Sequence, residues 1–516
     1  MAGDDPTGAL RAMLDEEGVG ASYPKAVLDE VAQFQAESGI DAGDLDDRTH
    51  LPFVTVDGPK TRDLDQALYV ARRGKGFTVQ YAIADASWFV RADSALFEES
   101  LRRGASYYLP GESVPMLPRP LSENLVSLGP GVDRRAMVFD MTLDADGTCT
   151  RTEIVRARIH SRHQLTFDHV EAVQDGRDTH PVRDRDVAES LVCMRRVGEL
   201  RARNAEARGV VAYHRSEVRV RLTEGQDARL TAVEVARNHV EADNAQLSLL
   251  CNAEGARFLR DRPGVHSQPI YKVHPAPNED ALAQLEARID AVVDAHDLPP
   301  SWRWDRDAAT LSEYVRTLSD DPAHARLVAA LSRQTIMVNV RAAFARDPGP
   351  HHGVGADVYG RFSAPMREVV GVFLHKELWE AKAGQGGPPQ QDEAVRQQVI
   401  EAANRAKTLQ RKLSAAADQR VIDDLFAADL ARGPASRAVH PGTVMGMRRG
   451  RIYVRLDDPP LDVKVYADRL DRGYAPDECG ATVQRGGRRF CRLGDAVALR
   501  VVQRGKDGRW VLDFAD

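Results

Sequence analysis

Three carboxylates, Asp57, Asp63 and Asp65, fall within nine residues of a 516-residue chain. Gly58-Pro59 marks a turn after the apolar run Phe53–Val56, and a second strand-like run starts near residue 67. Side chains alternate along extended chain, so Asp63 and Asp65 share a face, and the turn can fold Asp57 back beside them. Like charges held that close repel unless a cation neutralises them. An oxygen-only ligand set favours Mg²⁺ or Mn²⁺ over zinc. The segment reads as a metal site for phosphate chemistry, although an acidic solvated loop is the commoner meaning of such a stretch on its own.

The elements that must position these acids are legible from periodicity. Residues 6–38 carry two apolar stripes, one of Leu10, Met13 and Leu14, the other of Val27, Leu28, Val31 and Phe34. Two short helices joined at residues 18–22 follow, a packing hairpin or a helix-turn-helix. From about 51 to 154 alternating runs such as 77–83 and 137–143 predict strands separated by Gly- and Pro-rich loops. Helical spacing then dominates at 187–208, 240–260, 280–295 and 323–344, with a long helix from about 392 to 430 after a Gly/Pro/Gln segment at 384–391.

Beyond Gly433-Pro434 five short strands (442–447, 451–456, 461–466, 496–504 and 510–514) predict a small closed barrel of OB type. Such barrels hold single strands on aromatic faces beside basic side chains, which Tyr453, Arg451 and Arg455 could supply. The overall charge of −7 excludes a protein coated in basic surface. From Arg437 onward, however, 16 basic residues stand against 11 acidic ones, a local balance of +5.

With 43% hydrophobic and 28% charged residues the chain reads as globular. Neither a spanning apolar run nor an apolar leader is present, and five scattered cysteines argue against disulfides or zinc. These features predict a cytoplasmic protein without membrane association. There is no Walker loop, HExxH or GxSxG, and adjacent His351-His352 cannot both face one ion on regular structure.

Three further segments accompany the acids. Tyr81-Ala-Ile-Ala-Asp-Ala86 comes first, then Tyr108-Leu-Pro-Gly-Glu-Ser-Val-Pro-Met-Leu-Pro-Arg-Pro-Leu-Ser-Glu-Asn-Leu-Val-Ser-Leu128. Far downstream stand Gly349-Pro-His-His-Gly-Val-Gly355, Tyr359 and Phe362-Ser-Ala-Pro-Met-Arg367, while Ile270-Tyr-Lys-Val-His274 adds a weaker likeness. Together they resemble the RNB catalytic domain of the RNase II/RNase R exoribonucleases, and the carboxy-terminal barrel resembles the S1-type OB fold found there. The resemblance implies an α+β fold: a helical segment at 1–48, a mixed RNB catalytic domain at 49–432 and an S1-like barrel at 436–516.

It also implies a monomer that hydrolyses single-stranded RNA processively from the 3′ end to 5′-mononucleotides with Mg²⁺ or Mn²⁺. By the same resemblance Asp57, Asp63, Asp65 and Gln66 hold the metal, Asp63, Asp65 and Arg367 serve catalysis, and Arg367 holds the scissile phosphate. Tyr108 stacks near the 3′-terminal nucleotide, and Tyr359 is expected among the RNA contacts.

The chain departs from the family pattern at several places. Gln66 stands where a fourth Asp is usual, removing one charge, and would need a bulge to face the same way as Asp65. Glu368, Val369 and Gly371 replace a basic residue, a Tyr and an Asp, and Ala415 falls where members carry a helical Glu. Only about fifty residues precede the catalytic region, where typical members have two cold-shock domains. These departures leave a second expectation open, an RNB fold that binds RNA without cutting it.

Overall fold

The computed structural model describes residues 5–177, 182–211, 217–225, 228–236, 238–262, 267–384, 389–470 and 472–515. Two helices, α1 (Gly8–Glu16) and α2 (Lys25–Ala36), lead into the chain. Their stripes are spent on packing: Leu10 and Leu14 lie with Tyr107 and Leu109, and Val27 and Val31 lie in the main core. The packing-hairpin expectation is the one that matches this burial.

The main body is built on β1 (Asp46–Asp47), β2 (Phe53–Val56), β3 (Gln66–Arg73), β4 (Gly76–Ala84), β5 (Tyr107–Leu109), β6 (Glu112–Val114), β7 (Asp133–Leu143) and β8 (Cys149–Leu165). The large sheet runs β1-β8-β2-β3-β4-β7, and β7 pairs again with β8. The 17-residue β8 makes that closure: its first part pairs antiparallel with β7, and its end pairs parallel with β2. Both faces of β4 and β7 are largely buried, with Val79, Tyr81, Ile83 and Phe139 on one side and Ala82 and Val138 on the other excluded from solvent.

Between β4 and β5 lie α3 (Ala86–Phe89) and α4 (Ala95–Arg103), the latter capped by Ser94, whose hydroxyl accepts from the Phe97 amide. Helices α5 (Phe167–Gln174), α6 (Arg185–Ala207) and α7 (His239–Arg260) start at Thr166, Asp184 and Asn238, each with its side chain accepting an amide of the first turn. A hairpin of β9 (Glu217–Leu222) and β10 (Leu230–Val235) separates the last two.

Further on come α8 (Glu279–Ala295), α9 (Leu311–Thr317), α10 (Ala325–Met337), α11 (Val369–Ala383) and α12 (Pro389–Leu430). The predicted helix at 323–344 ends early. Asn339 turns back to the carbonyls of Thr335 and Ile336, and the rest becomes β12 (Ala343–Ala345), paired with β11 (Tyr271–Val273). The 42-residue α12, roughly 60 Å long, contributes to three apolar clusters: Val399 and Ala402 in the body, Leu409 and Leu413 beside α1, and Ile422 and Phe426 in the barrel.

The barrel strands are β13 (His440–Arg448), β14 (Arg451–Leu456), β15 (Asp462–Tyr466), β19 (Ala496–Arg504) and β20 (Trp510–Phe514), ordered β15-β14-β13-β19-β20 with β15 packed against β20. All five predicted strands are present. The structure adds a three-stranded insert, β16 (Tyr474–Pro476), β17 (Thr482–Arg485) and β18 (Arg488–Arg492). Side chains of Arg489 and Arg492 from this insert donate to the Ala295 carbonyl, which docks the barrel on α8.

Candidate active site

The acids sit on a loop, not a strand. Beyond Val56 the Asp57 amide still donates to the Leu165 carbonyl at 3.0 Å, so the loop leaves β2 from a fixed point. It is then clamped to the end of the Leu-Val-Ser-Leu run: Leu64 N–H donates to Ser127 Oγ at 3.1 Å, that hydroxyl donates to the Arg62 carbonyl at 2.6 Å, and Leu128 N–H donates to the Leu64 carbonyl at 3.0 Å. The Ala84 amide donates to the Asp65 carbonyl at 2.8 Å, tying the loop to the Tyr81–Ala86 segment as well.

Asp65 is fully buried. Its Oδ1 accepts from Met366 N–H at 2.9 Å and its Oδ2 from Arg367 Nε at 2.5 Å. Burial pushes its carboxyl up to about 6, against the pull of Arg367. Asp63 is half-buried and also raised by burial, with Arg367 opposing and the charge of Asp57 adding to the rise. Tyr108 points its hydroxyl toward Asp63 Oδ2 at 3.4 Å while 59% of the residue stays exposed, leaving a ring face open.

The hairpin that presents Tyr108 turns at Pro110-Gly111, where φ at Gly111 is +81°, a value only glycine adopts without strain. That hairpin is registered to Arg367: Ser106 N–H donates to the Arg367 carbonyl at 2.9 Å, and Val369 N–H to the Gly104 carbonyl at 3.1 Å. Asp63, Asp65, Tyr108 and Arg367, scattered over some three hundred residues, are thus brought together.

Other expectations are corrected. Asp57, Asp63 and Asp65 do not already surround one point: among the described residues the only three-acid group with ligand atoms mutually within 4.8 Å is Glu377, Glu380 and Asp392. Asp65 is drawn to Arg367, and Asp57 turns back on its own turn, accepting from Gly58 N–H at 2.7 Å and Thr61 Oγ1 at 3.0 Å. Gln66 opens β3, and both ends of its amide are engaged: Nε2 donates to the Ser363 carbonyl at 2.6 Å, and Oε1 accepts from the Tyr81 hydroxyl. It is not turned toward the acids.

Tyr359 cannot stack on a base either. It is 3% exposed, packs on His351 at 4.9 Å between ring centroids, and its hydroxyl accepts from Asn252 Nδ2 at 3.0 Å.

Asn252 was not expected at the site. Buried in mid-helix on α7, its carbonyl oxygen accepts from the amides of Phe362 and Ser363 at 2.7 and 3.1 Å and so shapes the segment leading to Arg367. An amide inside the apolar run Leu249-Leu-Cys-Asn-Ala253 is the sequence signal that could have marked it. In the barrel, Tyr453 is half-buried opposite Lys464, Arg451 lies over the Tyr466 ring at 5.8 Å, and Arg455 is paired with Asp462 at 3.1 Å.

The donor chemistry suits a hard cation: oxygen ligands only, with Asp57 and Asp63 accessible and Asp65 behind them. Among the described residues no helix is long and apolar enough to cross a membrane.

Comparison with known proteins matches this architecture. The chain is 27% identical over 509 residues to Ribonuclease R of Escherichia coli, covering 96% of this chain and 60% of that protein, so it spans about three-fifths of that relative's length. It is 29% identical over 497 residues to Exoribonuclease 2 of Yersinia enterocolitica, covering 92% and 72% of the two chains. The structure of Mycoplasma genitalium RNase R in complex with ribose-methylated single-stranded RNA superposes with a TM-score of 0.85 at 20% identity, over 99% of this chain and 78% of that one. Yeast Ssd1, a pseudonuclease, shares the fold more distantly, with a TM-score of 0.61 at 13% identity over 91% and 54% of the two chains. The RNB domain pattern itself matches residues 45–384, well over half of the sequence, and the chain belongs to the RNB-domain family.

Proposed function

We propose that the protein is a divalent-metal-dependent exoribonuclease that hydrolyses single-stranded RNA processively from its 3′ end and releases 5′-mononucleotides. The observation that carries this reading is the convergence of Asp63, Asp65, Tyr108 and Arg367. Asp57, Asp63 and Asp65 are the residues that would hold Mg²⁺ or Mn²⁺, which when bound would polarise the scissile phosphate and acidify a water nucleophile.

The chain's own groups do the rest. Arg367 supplies charge-assisted donors where negative charge grows on the phosphate. Its present partner, Asp65, keeps it aimed into the site. Tyr108 offers a face that accepts any base, which fits degradation without sequence preference. Tyr453 and Arg451 give the barrel a wet, aromatic and basic surface for the incoming strand. The relatives named for exoribonuclease activity, and a fold neighbour bound to single-stranded RNA, support the substrate class.

A 5′-labelled oligoribonucleotide with Mg²⁺, with Mn²⁺ and with EDTA, beside its DNA equivalent, tests the reading. The expected result is a metal-dependent collapse of the RNA to a short 5′ fragment, with DNA untouched. Internal cuts, or loss of RNA in EDTA, would count against it. A second reading, an RNA-binding protein that does not cut, is favoured by the engaged amide of Gln66 and by the three acids not converging. RNA bound tightly but left intact under every metal would decide for it.

A further inference from the structure

The residue after Arg367 is Glu368, and its surroundings are unusual in charge. Its Oε1 lies 3.3 Å from Arg361 Nε and 3.2 Å from Lys407 Nζ, with the ammonium of Lys272 close by. Its Oε2 is buried without a hydrogen-bond partner among the described residues. Burial works against the carboxylate, yet the three cations hold it down to about 2. One anion thus serves three cations.

The surplus is most evident at Lys272. Burial pushes its ammonium down to about 8, with Arg361 beside it adding to the fall. Among the described residues it forms no side-chain hydrogen bond, only an approach of 5.8 Å to the Phe344 ring. Arg361 and Lys407 keep 28% and 31% of their side-chain surface in solvent, so this excess positive charge is partly desolvated yet open to an incoming anion, which would relieve the cost of burying it.

The cluster is also well placed. Arg361 and Arg367 are near enough for their guanidinium groups to repel. On the other side, Lys407 donates to Gln410 Oε1 at 3.2 Å, and Gln410 Nε2 donates to the Ser106 carbonyl at 3.0 Å, two residues from Tyr108. Gln410 and Tyr108 line one cavity of about 660 Å³. Gln410 therefore links the cation cluster, through Lys407, to the segment that carries Tyr108.

We propose that Lys272, Arg361 and Lys407 form a second phosphate subsite beside Arg367, which takes the RNA phosphodiester next to the one being cut, with Glu368 as a resident counter-charge. This rests on the exoribonuclease reading above. Before RNA arrives, Glu368 keeps the three cations gathered; once a backbone phosphate enters, it completes their neutralisation.

The test is equilibrium binding of a fluorescein-labelled single-stranded oligoribonucleotide in EDTA across a series of NaCl concentrations. Lys272→Gln and Lys407→Gln should each weaken binding roughly tenfold at moderate salt. Losing the contact should also flatten the slope of log affinity against log salt by about 0.7. Glu368→Gln should bind more tightly than wild type, and Lys272→Arg should restore both affinity and slope. Arg185→Gln, far out on an exposed helix start, should change neither.

Unchanged slopes in the two lysine variants, or a correctly melting Lys272→Arg as weak as Lys272→Gln, would overturn the subsite while leaving the nuclease reading intact. Failure of the wild-type protein to bind the oligoribonucleotide would bring down both.

Discussion

Arg367 and Asp65, 302 positions apart in sequence, meet with Nε 2.5 Å from Oδ2, and the amide of Met366 donates to the other oxygen of the same carboxylate. The pair is a mutual brace. Burial would otherwise favour the protonated acid, and the guanidinium opposes that shift. For Arg367 to take a phosphate, or Asp65 a cation, each must give up part of its hold on the other.

Exchange of partners at this brace makes its two halves unequal in a kinetic test. Asp65→Asn should abolish turnover while RNA affinity in EDTA stays within a few-fold of wild type. Arg367→Lys keeps the charge but loses the planar donors, and kcat should fall roughly 10²–10³-fold. Single-turnover cleavage with parallel binding measurements checks both, and turnover surviving in Asp65→Asn would refute the assignment.

Tyr108 contributes a ring rather than a hydroxyl, since its contact with Asp63 is long at 3.4 Å. Tyr108→Phe should therefore behave like wild type. Tyr108→Ala should lose roughly 1–3 kcal/mol of affinity for the 3′-terminal nucleotides and leave a longer end product. Gel sizing of that product distinguishes the two variants.

Restoring the family's usual acid at position 66 should not create a ligand. Gln66→Asp removes the donor to the Ser363 carbonyl and puts a shorter, charged group beside it. Leaving a buried carbonyl unpaired costs roughly 1–3 kcal/mol, so the midpoint of thermal unfolding should drop and cleavage should not improve. A variant that melts like wild type and cuts faster would show that the amide is not anchored as described.

Acid should unfold the protein through its buried histidines. His351 and His375 are both held down to about 4 by burial, below their ordinary 6.5. As pH falls from about 6.5 to about 4 the unfolded chain binds two protons that the folded chain refuses, so stability present above pH 6.5 is lost across that window. Asp65 acts in the opposite sense between about 4 and 6, where the folded state keeps a proton the unfolded state has released. Asp243, raised to about 7 by burial, acts in the same sense as Asp65, so the histidine contribution is read by difference: in urea unfolding across pH, His375→Gln should flatten the acid limb relative to wild type.

The sequence carried the acids, Tyr108 and Arg367 because local spacing and extended motifs encode them directly. Barrel strands and helices were legible for the same reason, since period two and period 3.6 are local signals. Tyr359 misled because an aromatic in a motif looks alike whether it lines a channel or a core, and only the contact with Asn252 and His351 tells them apart. The clamp of Ser127 on Leu64 and the pairing of Glu368 with Lys407 join distant stretches, for which a single chain leaves no trace. The insert at β16–β18 escaped because its strands are short, and alternation over three to five residues is too brief to register.

The unbroken α12 has a consequence for how far apart gripping and cutting can be. A single rod seated in three separate apolar clusters fixes the spacing between the barrel and the acids, much as a caliper is set by its beam. On the exoribonuclease reading, the remnant left when a strand no longer reaches both jaws is set by that span together with the grip of Tyr108, which takes any base, so oligonucleotides of unrelated sequence should end at one common length.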